Sequence, residues 1–192
     1  MPVYYALRDK DITDPPDMAE NKENYDEFVN AVQNAPDQEW INIYLDWAAK
    51  LIDYGGLDKS DERLVMSVRT DQNSLPISIN RRYCLKAYFD RGNGEVGAIL
   101  PRGSTGIEEL KEDATYTTEF SGSDSESDPY YYVLPTSFDD FFLEEYEEDW
   151  KQAIQNERAR GERSPYRDSH NPVAYRAAVD REYRSEILDS VF

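Results

Sequence analysis

One cysteine and one histidine stand in the whole chain. With Cys84 alone, no intrachain disulfide can form, and zinc frameworks built on Cys or on Cys with His lack ligands. With His170 alone, a histidine metal site or a Ser–His–Asp triad has a single candidate, set in the loop YRDSHNP. Its neighbours Asp168 and Ser169 are too close in sequence to orient it as a base needs, so it reads as a residue tying turn backbone together. No window approaches the roughly 18 apolar residues that span a bilayer, and the opening MPVYYALRDKD lacks the basic start and apolar run of a signal peptide. A cytosolic chain away from membranes is expected. No segment calls for a cofactor.

Lysine is also scarce, 7 against 14 Arg and 21 Asp, and the net charge is −19. The excess is uneven: residues 1–60 carry −8 and residues 107–150 carry −14, while 61–106 and 151–192 are slightly basic at +2 and +1. Two readings compete. Carboxylates hold water at a surface in concentrated salt, where repulsion is screened over about 3 Å at molar ionic strength. Alternatively, an acidic face docks a basic protein or imitates nucleic-acid phosphates.

What is present suffices for a core: 39% hydrophobic and 13% aromatic residues across 192 positions, a length suited to one domain. After a short strand at Val3–Leu7, residues 1–20 read as an extended arm. A helix is predicted over Glu23–Gln33, with Phe28, Val29 and Val32 on one side. The next, Asp37–Tyr54, has Trp40, Ile41, Tyr44, Leu45, Trp47, Ala48, Leu51 and Ile52 at a spacing near 3.6. Gly55-Gly56 supplies a left-handed C-terminal cap. The period then changes to two. RLVMSVR, PISIN and RYCLKAYF alternate, with Leu64, Met66, Val68, Ile77, Ile79, Tyr83, Leu85, Ala87 and Phe89 facing a core; EVGAIL follows the turn signal Asn93-Gly94. Three or four antiparallel strands with one buried face are expected. A short helix at Ile107–Lys111, a strand at Thr115–Phe120, a mobile acidic loop at 121–129 and a sheet-closing strand at Tyr130–Leu134 follow. A helix is predicted from about Ser137 to Arg160, then a helical C-terminal tail over 162–192 with helices at Val173–Val179 and Arg181–Val191. The fold class is α+β: a small, mostly antiparallel sheet packed by two long amphipathic helices, with short C-terminal helices.

The long helix opens on FDDFFLEEYEEDW, six large apolar side chains interleaved with seven carboxylates. At 100° per residue from Phe138, Phe142, Leu143, Tyr146, Trp150, Ala153 and Ile154 fall between about 40° and 160°. Asp140, Glu144, Glu145, Glu147 and Glu148 take the opposite arc. Phe141 and Asp149 fit neither face. This is the pattern of a core helix with a solvated outer side.

Motifs for chemistry are weak. Asp124, Glu126 and Asp128 imitate half an EF-hand loop, but Pro129 stands where Gly is needed and Pro135 where Glu is needed. RGSTG at 102–106 lacks the spacing and lysine of a phosphate loop. A basic segment inside an acidic protein is the main candidate: Arg63, Arg69, Arg81, Arg82, Lys86, Arg91 and Arg102. Of these, Arg63, Arg69, Arg82, Lys86 and Arg102, with Tyr88, form the candidate ligand-binding set, because Arg beside Tyr suits an anionic or planar ligand. The blander reading pairs these cations with the acidic helices packed over or beside the sheet. No motif assigns a reaction. The chain reads as a non-enzymatic binding or interaction module. Its alternatives are a nucleic-acid-associated module using the Arg/Tyr face, an acidic decoy taking a basic protein on Glu144–Asp149, and an enzyme whose site includes His170, Arg167 or Asp149.

Overall fold

The computed structural model describes residues 21–90, 93–100, 116–119, 131–134 and 147–192. The arm at 1–20, the helix expected at Ile107–Lys111, the loop at 121–129, the RGSTG turn with Arg102, and the first half of the acidic helix with Phe142 and Tyr146 lie outside the described residues. Among the described residues two helices come first, α1 (Lys22–Val32) and α2 (Gln38–Gly55). Then come strands β1 (Leu64–Met66), β2 (Ser74–Ile79), β3 (Arg82–Asp90), β4 (Asn93–Leu100), β5 (Tyr116–Glu119) and β6 (Tyr131–Leu134). Helix α3 (Glu147–Arg158), a 3-10 turn (Arg167–Ser169), α4 (Pro172–Val179) and α5 (Arg181–Val191) complete the order. The fold is α+β, as the change of period implies. Among the described residues no helix is long and apolar enough to cross a membrane.

Helix α2 starts where Asp37 Oδ1 accepts the Trp40 N–H at 2.8 Å and stops at Gly56, whose φ of 54° a side chain would oppose. Its buried stripe from Trp40 to Ile52 lies between the sheet and the other helices. Toward the sheet, Trp40 meets Phe89 edge-on at 5.3 Å, and the Tyr44 hydroxyl donates to the Leu75 carbonyl. Toward α3, Trp47 and Tyr54 meet the fully buried Trp150 edge-on at 5.6 and 6.1 Å. Burying such a ring removes about 150–250 Å² from water, worth roughly 4–6 kcal/mol at about 25 cal/mol per Å².

The six strands form one antiparallel sheet in the order β1-β2-β3-β4-β6-β5, so β6 lies between β4 and β5. Two features depart from simple alternation. The β2–β3 register shifts between Ile77 and Ser78: Ile77 pairs with Leu85, Ser78 pairs with Tyr83, and Cys84 is the extra residue. The bulge exchanges faces. Tyr83, expected toward the core, sits half-buried opposite Ser78, whereas Cys84, expected outward, is fully buried in the core cluster. The outer face is also not open as expected: Val65, Ser74, Pro76, Ser78 and Lys86 are buried along with the inner set.

The C-terminal segment is part of the core. Val173, Ala174, Ala177, Ala178, Ile187 and Leu188 join the main cluster, and Arg184, 3% exposed, donates to the Asn42 carbonyl and the Asp46 carboxylate of α2 at 3.0 and 2.8 Å. Between α3 and α4 the chain runs along the edge of β1. The Ser164 N–H donates to Glu62 O at 2.8 Å, the Arg167 guanidinium to Leu64 O at 2.5 Å and Lys59 O at 2.6 Å, and the Asn171 N–H to Met66 O at 2.7 Å. An edge strand otherwise presents such groups to any passing chain.

Candidate functional site

The basic residues of the sheet segment divide into three groups. Arg63 and Arg82 lie at the β2–β3 turn end, Arg69 at the β1–β2 turn end, and Lys86 between them with Tyr88. Strand rise of about 3.3 Å per residue separates Arg82 from Tyr88 by roughly 20 Å. The structure therefore brings Arg69, Lys86 and Tyr88 together and sets Arg63 and Arg82 apart. Arg102 is outside the described residues.

Arg63 is fully engaged. Its Nε and Nη2 grip both oxygens of Asp61 at 2.8 and 2.6 Å, and Nη1 donates to the Arg158 carbonyl at 3.3 Å, near the end of α3. The hydrogen bond from Arg63 holds the Asp61 carboxyl below its usual range. Arg69 is matched in the same way by Asp71, with both contacts at 3.2 Å. These pairs span two residues across turns, so a nearby carboxylate meets each arginine before any helix does. Arg82 is half-buried and has partners of its own.

Lys86 differs. It is 7% exposed, its Nζ lies 4.3 Å from the Tyr88 ring centroid and 5.4 Å from that of Tyr83, and it donates to Gln72 Oε1 at 3.1 Å. Among the described residues no carboxylate lies within ion-pair distance of this ammonium. Two ring faces and one neutral amide touch the ammonium, each ring worth about 0.5–2 kcal/mol depending on desolvation, while the Asp71 carboxylate held by Arg69 acts on it from beyond ion-pair distance. The cradle owes its second ring to the Cys84 bulge, which turns Tyr83 onto the face of Lys86 and Tyr88. The alternating reading of RYCLKAYF missed Tyr83 for that reason. Gln72 is supplied by the β1–β2 loop, whose left-handed residue Asn73 (φ 45°) closes the turn.

The residues suited to nucleophilic or base chemistry are committed elsewhere. Cys84 is buried, and desolvation pushes its thiol well above the usual range, which opposes a thiolate. His170 accepts the Met66 N–H on Nδ1 at 3.2 Å, so it ties its loop to strand β1 instead of fastening its own turn as expected. Asp168 is exposed and pairs with Arg163 at 3.1 Å. At the acidic helix, the Glu147 carboxylate accepts from the Tyr54 hydroxyl and pairs with Lys50 at 3.4 Å, while the Glu148 side chain is 88% exposed and pairs with Lys151 at 3.6 Å. Among the described residues no group of three His, Cys, Asp or Glu could hold a metal ion. No family model, curated protein or solved structure matches the chain, so the residues themselves carry the functional reading.

Proposed function

We propose that the chain is a non-catalytic binding module whose ligand carries an anionic group beside a planar one. The site is the cradle of Lys86, Tyr83 and Tyr88, with Arg69 at its rim. One observation carries this reading: the Lys86 ammonium is held by a neutral, exposed glutamine, whereas Arg63 and Arg69 each have a carboxylate two residues away. The Gln72 amide oxygen occupies the position that a carboxylate or phosphate oxygen would take with a stronger, charge-assisted bond. Displacing it requires only an exposed loop side chain to move. The half-buried Tyr83 and Tyr88 offer ring area to a base or another flat group. The charge of −19 opposes a long polyanion at low salt, so a short anionic stretch or small ligand suits the site better than extended nucleic acid.

The test uses inorganic phosphate and a labelled single-stranded oligothymidylate, followed by NMR of Lys86 and Tyr88 and by anisotropy. Binding should weaken as salt rises, and Lys86→Met, which keeps the stem and removes the charge, should weaken it about 10- to 100-fold. Phosphate alone perturbing the cradle would limit the site to small anions. Silence of these resonances toward both probes at low salt would overturn the reading.

A further inference from the structure

We infer that His170 is an acid-sensitive latch that fastens segment 164–171 to the edge of β1. The geometry is a row of contacts on the outward-facing peptide groups of one strand. The Glu62, Leu64 and Met66 carbonyls are taken by Ser164, Arg167 and Asn171, and the Met66 N–H is taken by the His170 ring. Every contact but one uses a backbone amide or a guanidinium, donors that keep their protons throughout ordinary pH. His170 Nδ1 is the exception, because it can accept the Met66 N–H only while it carries no proton. Adding one turns an acceptor into a donor facing a donor. The ring cannot relocate the charge easily, since its Nε2 is buried without a hydrogen-bond partner among the described residues.

Burial and the Arg167 cation favour the neutral form of the ring. Arg167 beside it on the 3-10 turn opposes a second cation. Tyr175 of α4 faces the ring with centroids 6.0 Å apart, and Asp58 is felt by Tyr175. Burial first, then Arg167, lowers the His170 pKa from the ordinary 6.5 to about 4. A released ring binds protons more tightly than a docked one, so the latch holds fully above 6.5 and weakens as pH falls from 6.5 towards about 4. That gap limits the loss to a few hundred-fold in the closed-to-open ratio.

Native-state hydrogen exchange on the full chain tests this at the Met66 and Asn171 amides, with Leu51 in α2 as a core control and the His170 ring titrated by NMR. His170→Asn places an amide oxygen near the position of Nδ1 and does not titrate. Protection of Met66 and Asn171 should fall by up to a few hundred-fold across the acid range in the parent chain, stay flat in His170→Asn, and leave Leu51 unchanged in both. His170→Ala should expose Met66 at every pH. The inference is overturned if the ring titrates without a change at Met66, if His170→Asn loses protection alongside the parent, or if Leu51 opens together with Met66.

Discussion

At the scale of single residues, Cys84 joins the fold to the candidate site. As the extra residue of a bulge it has no place in the β2–β3 ladder, and its carbonyl instead accepts the Trp150 indole N–H at 3.2 Å. A buried carbonyl without a donor costs about 1–3 kcal/mol. Trp150→Phe retains an aromatic ring but removes that donor, so chemical denaturation should show a loss of about 2 kcal/mol from the orphaned carbonyl, added to the packing lost with the smaller ring. Without its tether the bulge can slip, and Lys86 should lose its contact with Tyr83, seen as a change in Tyr83 ring shifts. The strand sequence could not announce this. RYCLKAYF alternates without interruption, and cysteine is small and apolar enough to serve on either side, so the pattern permits two registers. What was legible was the alternation that buries Leu64, Met66, Leu85 and Phe89; the turn pairs Asp61–Arg63 and Arg69–Asp71 take the place of the expected pairing with the acidic helices, because a carboxylate two residues away at a turn is nearer.

At the scale of elements, α2 was almost fully readable. Its 3.6 spacing gave the buried stripe, Asp37 the start and the glycine pair the end, and the observed helix differs from the expected one by a residue at each end. Helix α1 and the two C-terminal helices follow the same logic, with Asn171 and Asp180 accepting from the first-turn amides of α4 and α5. Their role was harder to read. Residues 162–192 are polar enough to suggest an appendage, yet the small residues of PVAYRAAV let α4 approach closely and share the core with α2. Arg184 completes that attachment from α5. Arg184→Met keeps the apolar stem and removes both hydrogen bonds to α2. It should lower stability by about 2 kcal/mol, below the 3–5 kcal/mol of a broken fully buried pair because Asp46 is half-exposed and can regain water. Urea unfolding followed by circular dichroism measures it, and no loss would mean the clamp is ornamental.

At the scale of the whole molecule, the described cations largely meet nearby acids, as in Lys50–Glu147, Arg163–Glu62, Arg176–Asp180 and Arg181–Asp46, with Arg163 and Asp46 each shared between two partners. The net charge of −19 is concentrated in two stretches of sequence, residues 1–60 and 107–150. Its self-repulsion should be strong where the Debye length is about 30 Å and nearly gone at about 3 Å. The thermal midpoint should therefore rise between dilute buffer and molar salt; an unchanged midpoint would remove salt adaptation as the reason for the acidity. One arrangement inside the molecule decides how such experiments must be read. All three tryptophans, at positions 40, 47 and 150, are buried on α2 and α3, and two of them touch, whereas the rings around Lys86 are tyrosines. Indole emission is then a gauge of the helix–sheet seam and is blind to the cradle. A ligand occupying Lys86 should leave it silent while phenolic absorbance changes, so the two colours of intrinsic light separate occupancy from unfolding without any label.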